Sequence, residues 1–228
     1  MTNNVLTILS GLSDWTAPEV DNATMMHGDM PGDKIEIGDS HKQKAAAVFP
    51  VLVEKLKAVM ENHPHQRAVV CVCGGSGVGK SEIASLLGEY LQQAGVGSYV
   101  LSGDNYPHRI PAQNDAERLR VFRCGGVRGL VAGGVYNEEV KATLRTLQEQ
   151  DVDASPALCA EHPWLAVYQK EGKKALNGYL GTDREQNFEE LSAIISQFKN
   201  GAKEIYLKRM GRTPLDLWYD LVDFSEKN

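Results

Sequence analysis

A chain of 228 residues is long enough to bury a sizeable α/β core, and its 24 Lys and Arg against 30 Asp and Glu leave a formal charge of −6. That balance argues against a general nucleic-acid binder, which needs a basic face, although a local basic pocket stays open. No run approaches the roughly 20 apolar residues of a membrane span, and the opening MTNNVLTILSGLSDW lacks the basic start and long apolar centre of a signal peptide. The expected setting is the cytoplasm, with neither nucleic acid nor membrane as partner. The four cysteines, Cys71, Cys73, Cys124 and Cys159, include no pair with metal-site spacing, so reduced thiols are expected.

Residues 1–39 mix Pro, Gly, Asn and Asp with apolar positions, and only Lys34-Ile35-Glu36-Ile37 alternates like a short strand. Asn22-Ala23-Thr24 matches a glycosylation sequon, which carries no meaning without secretion. This stretch is expected to pack over the core or to form a homo-oligomer contact. Ser40 is positioned to cap a helix from about His41 to Glu61, with Val48, Val51, Leu52, Leu56, Val59 and Met60 on its inner face. His63 and His65 flank Pro64, and without a third ligand nearby they read as an exposed turn rather than a metal site.

The most informative stretch is Ala68 to Ser81, AVVCVCGGSGVGKS. Its first six residues are apolar and partly β-branched, which suits a strand buried on both faces. Gly74 to Ser81 then matches G-x-x-x-x-G-K-S/T, the phosphate loop. Glycines allow the backbone to turn with unusual dihedrals and to bring N–H groups close to an anion. Gly75, Ser76, Gly77, Val78, Gly79, Lys80, Ser81 and Glu82 are the candidate nucleotide-binding residues. In this reading Lys80 reaches the β- and γ-phosphates of ATP, and the Ser81 hydroxyl is a ligand for Mg²⁺. The apolar spacing after Ser81 predicts a helix whose N-terminal dipole faces the phosphates, ending near Gly95.

Ser98 to Ser102 predicts a second strand, parallel to the first if the crossover is right-handed. In an open parallel sheet the carboxyl ends of the strands carry the site, which brings Asp104 beside the phosphate loop. A carboxylate there can accept a proton from an attacking hydroxyl or orient Mg²⁺. Arg109, Arg118, Arg120, Arg123 and Arg128 follow. Guanidinium groups can clamp phosphate or carboxylate, though each one singly reads as surface charge. Gly125, Gly126, Gly129, Gly133 and Gly134 predict a mobile segment there rather than one long helix. Asn137 is expected to cap a helix over 138–150, Pro163 to open another through about Leu180, and Asn187 or Asp183 to cap a third over 188–199. Glu204 to Lys208 reads as a short strand, and Leu215 to Phe224 as helical.

Three of these stretches together resemble the phosphoribulokinase and uridine kinase group of P-loop kinases. They are GGSGVGKS, the strand-end SGDNYPHR, and the run from Phe188-Glu189-Glu190-Leu191 through Gly201 to Ile205-Tyr206-Leu207-Lys208-Arg209. The resemblance implies an α/β P-loop NTPase fold, a three-layer parallel sheet, over residues 67–228 with a helical insertion between Asp104 and Tyr206, and residues 1–66 are expected to be an N-terminal extension with one helix. It implies transfer of the γ-phosphoryl group of ATP to a hydroxyl of a small metabolite such as a sugar phosphate or nucleoside, with Mg²⁺. Lys80 and Asp104 are then the catalytic residues, Asp104 as general base. Tyr106, His108 and Arg109 are the candidate acceptor-binding residues, although Pro107 is inserted into the local pattern.

A second resemblance is to adenylylsulfate kinases, through Tyr99 to Asn105 and Asn114-Asp115-Ala116-Glu117-Arg118, with Ser102 where those enzymes carry an acid. It ranks behind the first because residues 135–210 do not fit it. A nucleotide-binding regulatory module without turnover is the alternative from another class. The kinase pattern further calls for a third strand ending in an acid and an arginine-bearing lid. Only Asp220, in a helix-like stretch, approaches the former, so the fold is expected to lack its C-terminal strands and lid.

Overall fold

The helix expected from His41 is α2, Asp39–Glu61, in the computed structural model, which describes residues 5–22, 24–25, 27–75, 77–211, 213 and 215–225. Its N-cap is Gly38 rather than Ser40. The Gly38 N–H donates to Nδ1 of His41 at 3.2 Å, one half of a capping box. The buried stripe is Ala45, Phe49, Val53, Leu56 and Met60, a clean helical spacing. Val48, Val51 and Val59, expected inside, are 49%, 62% and 52% exposed. The aromatic residue sets the rotation: the Phe49 ring lies 4.4 Å from Trp15 and 5.4 Å from Tyr90, so α2 turns the Phe49 face inward and the valines outward.

Tyr90 belongs to α3, Lys80–Gln93, which also buries Leu86 and Leu87. The helix is followed by Gly95 at φ +87°, the left-handed conformation expected after a helix C-cap. A short helix α1, Val5–Ser10, adds Leu9 to the same core, and Met25 and Ile37 close it. The N-terminal residues therefore share one core with the helix that follows the phosphate loop. One compact unit is Met1–Tyr106 with Phe188–Asn228 and the other is Pro107–Asn187. The compact units thus do not divide at the boundary expected at residue 66.

The first unit carries the sheet found among the described residues. Strand β1, Glu204–Met210, pairs antiparallel with β2, Leu217–Asp223, in a register running from Glu204 opposite Asp223 to Met210 opposite Leu217. The helix expected over Leu215 to Phe224 is thus a strand. Trp218, Tyr219 and Val222 favour strand over helix, and β1 supplies the ladder. Helix α7, Phe188–Lys199, packs Ile194 against Ile205 and Leu207 of β1.

The strands expected at residues 68–73 and 98–102 are not part of any sheet among the described residues, so the three-layer parallel sheet is not formed there. Val69 and Val70, expected to be buried, are 43% and 44% exposed. β-Branching and apolarity are local signals, whereas strand pairing depends on what lies alongside, and that is not written in the segment itself.

The second unit contains α4, Pro111–Ala132, α5, Glu138–Glu149, and α6, Trp164–Asn177. Asn137 caps α5 as expected, its Oδ1 accepting the Val140 N–H at 2.9 Å. Pro163 precedes α6, which ends at Asn177 with Gly178 as its C-cap rather than at about Leu180. The segment expected to be mobile is the single helix α4. Its glycines form a packing face rather than a break: a side chain at Gly125, Gly126 or Gly129 would run into Ala175, Tyr168 or Glu171 of α6. Gly172 of α6 faces α4 in the same way, since a Cβ there would stand 2.8 Å from the Phe122 ring. Missing side chains let the two backbones approach closely, which offsets the weak helix propensity of glycine.

Gly126→Val is therefore expected to destabilise the protein by about 1–3 kcal/mol, the usual cost of overpacking. A Cβ there would lie 2.8 Å from the Tyr168 carbonyl oxygen as well as inside the ring's space, so a side-chain rotation alone cannot relieve it. A urea melt reads the change, and an unshifted midpoint would remove the packing role.

Candidate functional site

The phosphate loop owes its shape to two glycines. Gly77 and Gly79 have φ of +73° and +88°, a region other residues rarely adopt. Gly79 is the N-cap of α3, so Lys80, Ser81 and Glu82 form the helix's first turn. The first N–H groups of a helix have no intrahelical acceptors, and the dipole adds positive potential there, so this turn is an anion site. Gly74, Gly75, Gly77 and Val78 are exposed. The Lys80 ammonium donates to the Gly75 carbonyl at 2.7 Å, spanning the loop. Ser81 is exposed on the same turn. Ser76 lies outside the described residues.

These residues fit a triphosphate with Mg²⁺: glycine backbone, helix amides and an ammonium face anions, and a hydroxyl is a ligand for a hard cation. No cluster of three or more His, Cys, Asp or Glu capable of holding a metal occurs among the described residues. His63 and His65 stay in an exposed turn region, their rings 6.2 Å apart.

One residue beside the loop has no counterpart among the candidates read from the sequence. His41, in the first turn of α2, accepts the Gly38 N–H at Nδ1, which leaves Nε2 to carry the proton. A Cβ at Gly79 would stand only 2.8 Å from that Nε2. The imidazole thus covers the N-cap residue of α3. A lone His behind Gly-Asp-Ser carries no sequence signal for this approach.

Asp104 sits exposed in a 3₁₀ turn, Gly103–Asn105, in the same unit as the loop. The residues on either side of it are tied down. The Ser102 N–H donates to Asp29 Oδ1 at 2.6 Å, and the Asn105 amide donates to the same oxygen at 3.0 Å. Asn105 Oδ1 accepts the Met210 N–H at 3.0 Å. Asp29 Oδ2 receives the Tyr99 hydroxyl at 2.9 Å and the Arg209 guanidinium at 2.8 Å. Burial pushes the Asp29 carboxyl above its ordinary pKa despite these donors. Asp220, on β2, accepts from the Arg209 Nε at 3.0 Å.

The acceptor-binding candidates separate. Tyr106 is fully buried among Ile194, Ile205 and Leu207, where burial pushes its hydroxyl up to about 12. A ring in the core offers no face to a substrate. His108 and Arg109 belong to the second unit. His108 Nε2 lies 2.8 Å from the Asp183 carbonyl, and Arg109 donates to the Tyr179 hydroxyl at 3.2 Å. Arg109 also lines a shallow cavity of about 370 Å³ with Gln113, Glu117 and Arg120.

Three of the other arginines serve carboxylates. Arg118 donates to the buried Glu185 at 2.7 Å, Arg120 grips Glu117 with two bonds, and Arg123 donates to Asp151 and Asp153 at 2.8 Å each. Burial pushes the Glu185 carboxyl up, but the Gly181 N–H, Arg118 and Asn114 together hold it below the ordinary range. These ion pairs organise α4 and the turn before α7.

Among the described residues no helix is long and apolar enough to cross a membrane. The adenylylsulphate kinase family matches residues 66–119, which include the phosphate loop, Asp104 and Arg109. A bifunctional alpha-galactosidase/sucrose kinase of Mediterraneibacter gnavus is 30% identical over 174 residues, covering 76% of this chain and 14% of that protein. Adenylyl-sulfate kinase of Escherichia coli O1:K1 is 29% identical over 142 residues, covering 54% of this chain and 71% of that enzyme. No solved structure matches the chain. The family match and the Escherichia coli relative accord with the resemblance ranked second from the sequence, the Mediterraneibacter gnavus relative with neither, and the phosphoribulokinase and uridine kinase assignment is not confirmed. Loop geometry and relatives alike support a P-loop kinase family for this chain.

Proposed function

We propose that the chain is an ATP-dependent phosphotransferase that moves the γ-phosphoryl group to a hydroxyl of a small metabolite. The observation that carries this is the loop that turns through Gly77 and Gly79 to place Lys80 at the head of α3, with exposed Asp104 in the same unit. The loop amides and Lys80 hold the phosphates and neutralise charge on the transferred group. Ser81 would be the protein ligand for Mg²⁺, which would supply positive charge against the phosphates. Asp104 takes the proton of the attacking hydroxyl. A sugar hydroxyl is the favoured acceptor, because the likeness to a protein named sucrose kinase extends over 76% of the chain, against 54% for adenylyl-sulfate kinase.

Calorimetric titration with ATP–Mg²⁺, followed by ADP release with sucrose, adenylyl sulfate, a sugar phosphate and a nucleoside in turn, tests the reading. Saturable ATP binding and acceptor-dependent ADP release are expected, with sucrose above adenylyl sulfate. ATP binding with no release on any acceptor would point to a regulatory module, and absent ATP binding would overturn the proposal.

A further inference from the structure

Asp29 lies 75 residues before Asp104 in sequence, in a segment that neither the family match nor any motif covers. It nevertheless holds a residue on each side of Asp104. Its Oδ1 accepts from the Ser102 N–H at 2.6 Å on one side and from the Asn105 amide at 3.0 Å on the other. Its backbone carbonyl accepts from the Asn105 amide as well, at 3.3 Å. Its second oxygen is fixed by Tyr99 at 2.9 Å and Arg209 at 2.8 Å, and that ion pair is nearly closed to water, with side chains 6% and 9% exposed. Arg209 donates in turn to Asp220. Ser102 Oγ accepts the Asp104 N–H at 3.3 Å. Among the described residues, and apart from the bond to Met210, the side-chain ties of this turn thus lead to Asp29 or to Asp104 itself.

An exposed carboxylate on a three-residue turn has no packing of its own to fix its direction. General-base catalysis needs it within hydrogen-bond reach of one particular hydroxyl, and displacement of about 1 Å is enough to lose much of the rate. We infer that Asp29 is a positioning residue for phosphoryl transfer, acting by clamping the turn that presents Asp104. Resting on the kinase reading above, it makes the segment before the phosphate loop a working part of the site.

The test compares Asp29→Ala, Asp29→Asn and Asp104→Asn, and each Asp29 variant combined with Asp104→Asn. Asn at 29 keeps an acceptor for the Ser102 N–H, so it covers the case in which Ala, by stranding Arg209, fails to fold. Asp29→Ala is expected to leave ATP–Mg²⁺ affinity within about threefold and to lower kcat with sucrose by about 10- to 100-fold, with Asn losing less. Added to Asp104→Asn, either change should cost less than about threefold more, because a clamp has nothing left to position. A purely structural role would multiply the two losses instead.

Amide hydrogen exchange gives a readout independent of turnover. Exchange at Ser102 to Asn105 should speed up in both Asp29 variants while the phosphate-loop amides stay unchanged. Wild-type kcat in a folded variant, multiplicative losses, or unaltered exchange at Ser102 to Asn105 would each overturn the inference. If the wild-type chain releases no ADP with any acceptor, the kinase reading fails, and the exchange result alone decides whether Asp29 clamps the turn.

Discussion

Lys80→Ala is expected to weaken ATP–Mg²⁺ binding by about 10- to 100-fold. The Lys80 ammonium already reaches across the loop to the Gly75 carbonyl at 2.7 Å, so it lies beside the backbone expected to hold the phosphates. A hydrogen bond to a charged group contributes about 1.5–3 kcal/mol net, and each 1.4 kcal/mol is tenfold in affinity. The bond to Gly75 is itself open to solvent, so the melting temperature should hardly move. The measurement is calorimetric titration beside a thermal melt. Undiminished affinity in a folded variant would take the phosphate loop out of nucleotide binding and with it the whole functional reading.

Asp104→Asn is expected to lower turnover by about 10²–10⁴-fold while ATP affinity stays within a few-fold. The amide is nearly the size of the carboxylate but cannot take a proton. The side chain is exposed, and the turn is held through Ser102 and Asn105 rather than through the Asp104 carboxylate, so the fold should survive the change. A turn residue with no chemical role would show the reverse, a lowered melting point and intact phosphotransfer. ADP release with the best acceptor, measured alongside a melt, distinguishes the two, and full activity would remove Asp104 from the mechanism.

What can be read from the sequence follows a physical divide. The phosphate loop, α3, the Asn137 cap and strand β1 are specified by residues next to one another, and they stand where the spacing puts them. The rotation of α2 is misjudged when valines count equally with Phe49, whose ring packing on Trp15 and Tyr90 decides the buried face. Glycines in α4 signal a break when the segment is read alone. They signal a close helix crossing once Tyr168 and Glu171 of α6 are known to lie against them. Leu215 to Phe224 forms a strand because β1 lies alongside. Asp29 and His41 leave no trace in the sequence for the same reason: each works through partners 38 or more residues away, at Ser102, Asn105, Arg209 or Gly79.

The division of the chain has a consequence for synthesis. The unit Pro107–Asn187 is continuous, so a chain leaving the ribosome can complete it as soon as those residues emerge. The unit that bears the phosphate loop cannot follow the same schedule. Arg67, just ahead of the loop's lead-in, donates to the carbonyls of Phe198, Ala202 and Phe224 at 2.7 Å each, and Asp29 waits for Arg209. Until residues 188–224 are made, the Arg67 guanidinium lacks these three acceptors and the Asp29 carboxylate lacks its ion pair. The turn that carries Asp104 is thus completed only after β1 is made, about a hundred residues later in translation, because Asp29 and Asn105 bond to Arg209 and Met210.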